Sequence, residues 1–228
     1  MASTASPHAP GKPDPGAITR WWWVRHAPVP NPEQRCYGQL DKPADCSNRA
    51  LFEHQAALLP RNAAWYASNL QRAIMTARAL ADAGAVMPDL QIEPGLAEQS
   101  LGDWQGMTYE ELGRLHGENH HFWLVPPHKR APNGESFADL YERTVEAVAR
   151  MTARHRGGDI VAVAHGGTIR AALGLALGLD HEQAVRFETA NVSLTCIEHL
   201  DAADPRHAWR VVCVNMMPSF ASGAGSKA

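Results

Sequence analysis

The sequence predicts an α/β fold, a three-layer α/β/α sandwich around a mainly parallel central sheet, and three observations predict it. Two short runs, Ile18–Val24 and Asp159–Ala164, are continuously apolar or bulky and stop at a histidine, as strands buried on both faces do before a loop. Segments with helical spacing of apolar residues alternate with the strand candidates, the pattern that covers a parallel sheet with helices. The chain has 228 residues, 45% of them hydrophobic, enough for one medium-sized domain with its own core.

In order along the chain, residues 1–17 are rich in Pro, Ala, Ser and Gly, too poor in large apolar groups to repay the entropy of ordering, and are expected to be a disordered tail. The domain is expected over 18–216, and 217–228 as a second flexible tail. Ile18–Val24 is the first strand, with Trp21, Trp22 and Trp23 read as sheet packing. Ala64–Ala67 is a shorter strand, and Gln91–Glu93 a weaker one. Ser68-x-x-Gln71 and Thr108-x-x-Glu111 fit capping boxes, in which two side chains satisfy each other's free backbone N–H groups; they are expected to open helices near 69–83 and 109–116. Ser136–His155 places Phe137, Leu140, Val145, Val148 and Met151 on one helical stripe. Asp159–Ala164 is the second strong strand and Gly167–Leu177 the helix after it. Late strands near 192–199 and 209–215 finish the sheet, at least one of them on an edge.

The charge balance narrows the partners. A net charge of −3 offers no basic field for nucleic acid and no polybasic membrane patch, so an anionic ligand has to be held by a local cluster. The cysteines 36, 46, 196 and 213 have neither C-x-x-C nor metal-finger spacing and read as free thiols of a reducing compartment. The N-terminal stretch lacks the pattern of a signal peptide, and no apolar run reaches the ~20 residues of a membrane span. The expectation is a soluble cytoplasmic protein with a small-molecule substrate, no cofactor and no metal. Its oligomeric state is left open, a homodimer included.

The chemistry sits at the strand ends. In open α/β sheets ligands bind beyond the carboxyl ends of the strands, and here two strands run into Arg25–His26 and into His165. The helix after Ala64–Ala67 adds Arg72 near its first turn, where backbone N–H groups already favour an anion. Two guanidinium groups and two imidazoles suit a tetrahedral phosphate dianion, and neighbouring cations should keep an imidazole neutral near pH 7.

Four motifs then occur in series: V-R-H at 24–26, S-N-L-Q-R-A-I-M-T-A at 68–77, L-A-E-Q-S-L-G-D-W-Q-G at 96–106 and A-H-G-G at 164–167. In order and spacing they resemble the histidine phosphatase (phosphoglycerate mutase-like) superfamily, over roughly residues 18–215. The resemblance implies that His26 is a nucleophile phosphorylated during turnover. It implies that Arg25, Arg72 and His165 hold the phosphoryl group with His26, and that Glu98 handles the proton, without a metal. Cys36–Pro43 resembles the C-Y-G-x-x-D-x-P segment of a branch that includes α-ribazole phosphatases, which places Tyr37 and Gly38 near a substrate, with Trp104 beside them. Asn133–Ser136 resembles the family's G-E-S element before a long helix, and Asn191–Ser193 its polar turn into a late strand.

Some positions depart from that pattern. Ala27 stands where the family usually has Gly or Thr, so any role of its backbone carbonyl in orienting His26 is expected to survive while the tight turn is less free. Pro43–Ala56 replaces the usual P-L-T-x-x-G-x-x-Q-A segment and reads as a longer stretch, and Asn31 and Pro32 break the mutase-like loop. Asp41, Glu135 and Asn191 read as structural partners. His116, His120 and His121 with Glu118 lack H-E-x-x-H and read as a polar helix end facing solvent. The expected activity is phosphomonoester hydrolysis through phosphohistidine. The rivals are a mutase-type phosphoryl transferase and a phospho-ligand binder without turnover.

Overall fold

Trp21, Trp22 and Trp23 alternate across the sheet, and that alternation shows why β1 (Ile18–Arg25) takes three consecutive indoles. Trp21 and Trp23 are fully buried on one face, stacked with ring centroids 5.0 Å apart. Trp21 Nε1 donates to Thr152 Oγ1 at 3.0 Å on the helix that covers this face. Trp22 packs on the opposite face and donates to Asp159 Oδ1 at 2.8 Å. The computed structural model describes residues 16–116, 122–201 and 208–218. The expected tails lie outside these residues but for their innermost positions. So do Glu118, His120 and His121.

The remaining strands are β2 (Ala63–Ala67), β3 (Leu90–Ile92), β4 (Asp159–Ala164), β5 (Leu194–Leu200) and β6 (Trp209–Met216). They form one six-stranded sheet in the order β3-β2-β4-β1-β5-β6. The pairs β3/β2, β2/β4 and β4/β1 are parallel, and β1/β5 and β5/β6 antiparallel, so the sheet is mainly parallel with β6 on its edge.

The helices are α1 (Arg49–Leu58), α2 (Gln71–Asp82), α3 (Tyr109–His116), α4 (Phe137–Arg154), α5 (Gly166–Leu177) and the short α6 (His181–Ala184). One face of the sheet, with Val24, Trp65, Val161 and Val163, packs with Leu51 and Phe52 of α1 and Ala73 and Leu80 of α2. The other, with Trp21, Trp23, Ile160 and Ala162, packs with Val148 and Met151 of α4 and Ile169 and Leu173 of α5. Both faces are covered, and the three-layer α/β/α architecture follows. Among the described residues no helix is long and apolar enough to cross a membrane.

Three readings of local structure need correction. The longer stretch 43–56 contains α1, whose N-cap Asn48 accepts from the Leu51 N–H at 3.2 Å. Ser68 does not cap the next helix: α2 starts at Gln71, and Asp41, from a distant loop, accepts from its N–H at 2.6 Å. Val145 is only half-buried, and the buried stripe of α4 runs through Leu140, Thr144, Ala147 and Met151. The Thr108–Glu111 box does form, with bonds of 2.8 and 3.1 Å, and Ser136 boxes with Asp139 at the start of α4.

Two loops approach so closely that only glycine fits between them. Gly102 has φ +45°, and a Cβ there would stand 2.0 Å from the Pro132 carbonyl oxygen; one on Gly134 would stand 2.5 Å from that of Ser100. Because the obstructing atoms are backbone, Gly102→Ala should cost about 2 kcal/mol or more. That corresponds to roughly 4–8 °C in thermal midpoint for a domain of this size. Gly84→Ala, also at positive φ but with nothing within 4 Å, should cost clearly less in the same melting experiment.

Candidate active site

β1 and β4 run side by side with Arg25 paired to Ala164, so the residues that follow, His26 and His165, leave the sheet together. The His26 N–H still continues the ladder to the Ala164 carbonyl at 2.9 Å. The two imidazole centroids are 5.0 Å apart, and both side chains are buried.

His26 is held in one tautomer. Its Nδ1 lies 2.7 Å from the carbonyl oxygen of Ala27. A carbonyl can only accept, so Nδ1 is the N–H nitrogen and Nε2 bears the lone pair. The departure at Ala27 therefore leaves the orienting bond in place, as expected of a backbone group. The Ala27 N–H is itself tied to Thr76 Oγ1 at 2.8 Å, and Asn191 Nδ2 donates to the carbonyl of His26 at 2.7 Å. Asn191 is thus the structural partner the sequence suggested, and the residue after it, Val192, sits at φ +60°, an uncommon conformation for a β-branched side chain. Burial first, then the charges of Arg72 and Arg25, lower the His26 pKa to about 3, so the ring is neutral at physiological pH.

Arg72 is fully buried on the first turn of α2. It donates to the carbonyls of Leu40 at 3.0 Å and Gly38 at 2.6 Å and lies over the ring of Tyr37, 5.0 Å from its centroid. Burial lowers its pKa, the leading cause, and the charge of Glu98 acts the other way. Arg25 donates through Nη1 to the Thr189 carbonyl. Ser68 Oγ accepts from the Leu70 N–H at 3.3 Å and meets His165 Nε2 at 2.7 Å. With the hydroxyl proton directed to Nε2, the proton of His165 rests on Nδ1. Burial and then the neighbouring His26, Arg72 and Arg25 hold the His165 pKa well below its ordinary value.

Among the described residues, three nitrogens in this corner are buried without a hydrogen-bond partner: Arg25 Nε, Arg72 Nε and His165 Nδ1. Buried donors are nearly always satisfied, and three unsatisfied ones beside a neutral histidine describe a receptor for an anion with several acceptor oxygens.

Glu98 enters from the loop after β3. Its Oε1 accepts from the Gln99 N–H at 3.0 Å, and its Oε2 lies 3.4 Å from the Gly167 nitrogen. A Cβ on Gly167 would come within 2.3 Å of the carboxylate, so the second glycine of A-H-G-G makes room for it. Arg143 of α4 fixes the loop backbone by donating to the carbonyls of Gly95 at 3.0 Å and Glu98 at 2.9 Å. Glu135 holds Arg143 through bonds of 2.7 and 3.0 Å and accepts from Ser100 N–H at 2.8 Å, which makes it structural, as expected.

A cavity of about 290 Å³ adjoins these groups, with Arg25, Tyr37, Gly38, Glu98 and Gly166 on its wall, while His26, Arg72 and His165 are buried behind it. Tyr37 and Gly38, expected near a substrate, are part of this cavity wall. Trp104 does not line it; it is buried in a small cluster with Cys36, Leu101 and Leu112 and supports the wall from behind. Tyr109, Trp123 and Arg170 line the cavity although the sequence reading passed over them. A signal existed for Arg170, which lies five residues beyond His165, on the second turn of the helix that follows the second strong strand.

A family model described as histidine phosphatase superfamily (branch 1) matches residues 21–215. The protein named "Bifunctional protein Rv2228c" of Mycobacterium tuberculosis is 30% identical over 203 residues, 87% of this chain and 55% of that protein. The chain thus spans about half the length of that curated relative. Phosphoserine phosphatase 1 of Hydrogenobacter thermophilus is 32% identical over 184 residues, 76% of this chain and 83% of that protein. The native structure of mycobacterial glucosyl-3-phosphoglycerate phosphatase Rv2419c matches with a TM-score of 0.72 at 26% identity, covering 87% of this chain and 99% of that one.

The depressed histidine pKa values make a test independent of any reaction. The unfolded chain takes up protons on His26 and His165 as pH falls below about 6.5, while the folded chain does not until about 3 for His26. Their contribution to stability is therefore complete above pH 6.5 and is lost progressively as pH falls toward 3. NMR of the ring nitrogens should show His26 neutral with the proton on Nδ1 at pH 5, and a His26 that titrates near 6.5 would contradict the geometry.

Proposed function

The chain belongs to the histidine phosphatase superfamily, branch 1, and on that premise we propose that it is a metal-independent phosphomonoesterase acting on a small phosphorylated metabolite through a phosphohistidine on His26. The observation that carries this reading is the set of three unpartnered buried nitrogens on Arg25, Arg72 and His165 beside a histidine whose Nε2 lone pair is free. A phosphoryl group satisfies all three donors and meets the lone pair.

In the first step the Nε2 lone pair of His26 attacks phosphorus, the P–O bond to the leaving group breaks, and protonated Glu98 gives its proton to the departing oxygen. The ring becomes cationic, and the Ala27 carbonyl, already accepting from Nδ1–H, stabilises that charge. In the second step Glu98, now a carboxylate, takes a proton from water as the water oxygen bonds to phosphorus. The P–N bond breaks, and inorganic phosphate leaves. His26 is neutral again and Glu98 protonated. The guanidinium groups of Arg25 and Arg72 and the N–H of His165 carry the charge that builds on the phosphoryl oxygens.

The family match over 21–215 supports reading 18–216 as one domain. The four unpaired cysteines support a reducing, cytoplasmic location. The C-Y-G-x-x-D-x-P segment supports the phosphate clamp more directly than an α-ribazole phosphate substrate. Gly38 and Leu40 supply the carbonyls that hold Arg72, and Asp41 caps α2.

His26→Ala should abolish turnover of p-nitrophenyl phosphate, together with the acid-labile labelling of the protein by a radiolabelled phosphoester; label that survives the substitution would refute the mechanism. Dialysis against EDTA should leave the rate unchanged, since the pocket supplies its own positive charge, and a loss restored by Mg²⁺ or Zn²⁺ would count against the reading. Identifying the product separates hydrolysis from mutase-type transfer, and an absence of turnover with retained phosphate binding would leave a binder. Glu98→Gln should slow phosphoryl transfer from alkyl phosphates by about 10²–10⁴-fold and from p-nitrophenyl phosphate far less. Single-turnover release of the alcohol and of p-nitrophenol is the measurement, because dephosphorylation then does not mask the first step.

A further inference from the structure

Among the described residues, Arg170 is the one cation on the cavity wall that the two steps above leave without a task. It is positioned from two sides. Its Nε donates to the Phe187 carbonyl at 2.7 Å, and its guanidinium carbon stands 5.1 Å from the centre of the Trp123 ring. Trp123 is itself fixed by its indole N–H, which donates to Gln99 Oε1 at 3.0 Å. Nη1 of Arg170 comes within 2.8 Å of the point where a Cβ on Gly166 would stand, and Arg25 Nε within 3.7 Å of that point, so glycine there lets the two guanidinium groups approach one another. Among the described residues no carboxylate forms a salt bridge with Arg170; Glu98 and Glu188 act on it only from a distance. Burial and then the charge of Arg25 push its pKa down to about 10, the mark of a cation lacking a close counter-charge.

The position of Arg170 relative to the reacting groups tells what it faces. The cations that act on His26 are Arg72 and Arg25. Arg170 instead shares the cavity wall with Arg25 and Glu98, its Nη1 beside Gly166 and the Glu98 carboxylate beside the next residue, Gly167. Glu98 is the proposed proton donor to the departing oxygen, so Arg170 stands on the leaving-group side of the phosphoryl centre. Phe122, Trp123 and Leu124 beside it form an apolar wall suited to a carbon skeleton. A cavity of about 290 Å³ leaves room for only a short one.

Resting on the phosphatase reading, we propose that Arg170 binds a second anionic group on the leaving group. The preferred substrates are then short-chain phosphomonoesters that also carry a carboxylate or a second phosphate. A guanidinium fork pre-positioned by Trp123 and Phe187 suits either anion.

Three compounds with one three-carbon skeleton test this: glycerol 3-phosphate, with a neutral far end, 3-phosphoglycerate, with a carboxylate there, and glycerol 1,3-bisphosphate, with a second phosphate. For the native enzyme, kcat/KM should be at least about tenfold higher for one or both compounds with an anionic far end than for glycerol 3-phosphate, and which of them gains identifies the anion. Arg170→Gln should erase most of that preference, and Arg170→Lys, which keeps the charge without the fork, should restore part of it. A raised melting temperature in the presence of inorganic phosphate shows that each variant retains its phosphoryl pocket. Native enzyme that turns over all three compounds equally overturns the inference while leaving the phosphatase reading intact. So does an Arg170→Gln loss that is the same for all three and for p-nitrophenyl phosphate, since Arg170 would then serve the transferred phosphate itself. Absence of turnover for every compound, p-nitrophenyl phosphate included, overturns both.

Discussion

Arg72 has no accessible surface, and the groups that accept from it are the backbone carbonyls of Gly38 and Leu40. A buried guanidinium ordinarily sits against a carboxylate, because removing a charge from water costs several kcal/mol unless something replaces the hydration. Here carbonyl dipoles replace part of it, and they leave the net positive charge in place. Arg25 is held in the same way by the carbonyl of Thr189. Much of the surrounding chain follows from that choice. The loop at 36–43 must pass directly over α2 to present its carbonyls, which in turn brings Asp41 to the N-terminus of α2 and Gly38 to φ +44°. A charge neutralised by a carboxylate would bind phosphate weakly. A charge held by carbonyls remains available to it.

The same logic extends to the groups that do chemistry. His26 is oriented by the carbonyl of the residue after it, and its own carbonyl is fixed by Asn191 from the turn before β5. That turn places Val192 at positive φ, a conformation that costs energy and persists because neighbours determine it: the Val192 N–H donates to the Arg25 carbonyl at 2.9 Å and its own carbonyl accepts from Gln55 at 2.9 Å. The backbone of Glu98 is held by Arg143 of α4, which is itself paired with Glu135 from the loop before that helix. Donors fixed before substrate arrives need no reorganisation during the reaction, which is the largest advantage a preorganised pocket has over water. The close glycine contacts at Gly102 and Gly134 belong to this arrangement, since they lock the loop after Glu98 onto the loop that carries Glu135.

What the sequence revealed of this arrangement depended on whether a residue's role was local. The two buried strands and the histidines at their ends were legible because period and abrupt termination are properties of contiguous residues, and parallel pairing then brought His26 and His165 together. The Thr108–Glu111 box was legible for the same reason. Ser68 misled because its spacing to Gln71 is that of a cap, whereas its hydroxyl is engaged by His165 from 97 residues away. The cap of α2 came from Asp41, which no local rule could supply. Helix α1 was missed because its buried positions, Leu51, Phe52, Gln55 and Ala56, include a glutamine whose burial is explained only by carbonyls of Val192 and Met216. Trp104, read as near a substrate, is buried behind the cavity wall, since a large aromatic residue next to a loop serves equally well as a wall or as its support.

The physical origin of the low His26 pKa determines how it responds to a bound anion. Two of its causes are the charges of Arg72 and Arg25, which a phosphate dianion between them largely cancels. The larger cause, burial, is already nearly complete, with His26 2% exposed, and such cancellation leaves it in place. It still acts to hold the ring neutral when an anion is bound. Protonation of His26 is then not what would limit the proposed reaction on the acid side. A phosphomonoester takes up its second proton near pH 6, and a monoanion satisfies the three pocket donors less well than a dianion. On the proposed mechanism the acid limb of kcat/KM thus reports the ionisation of the substrate.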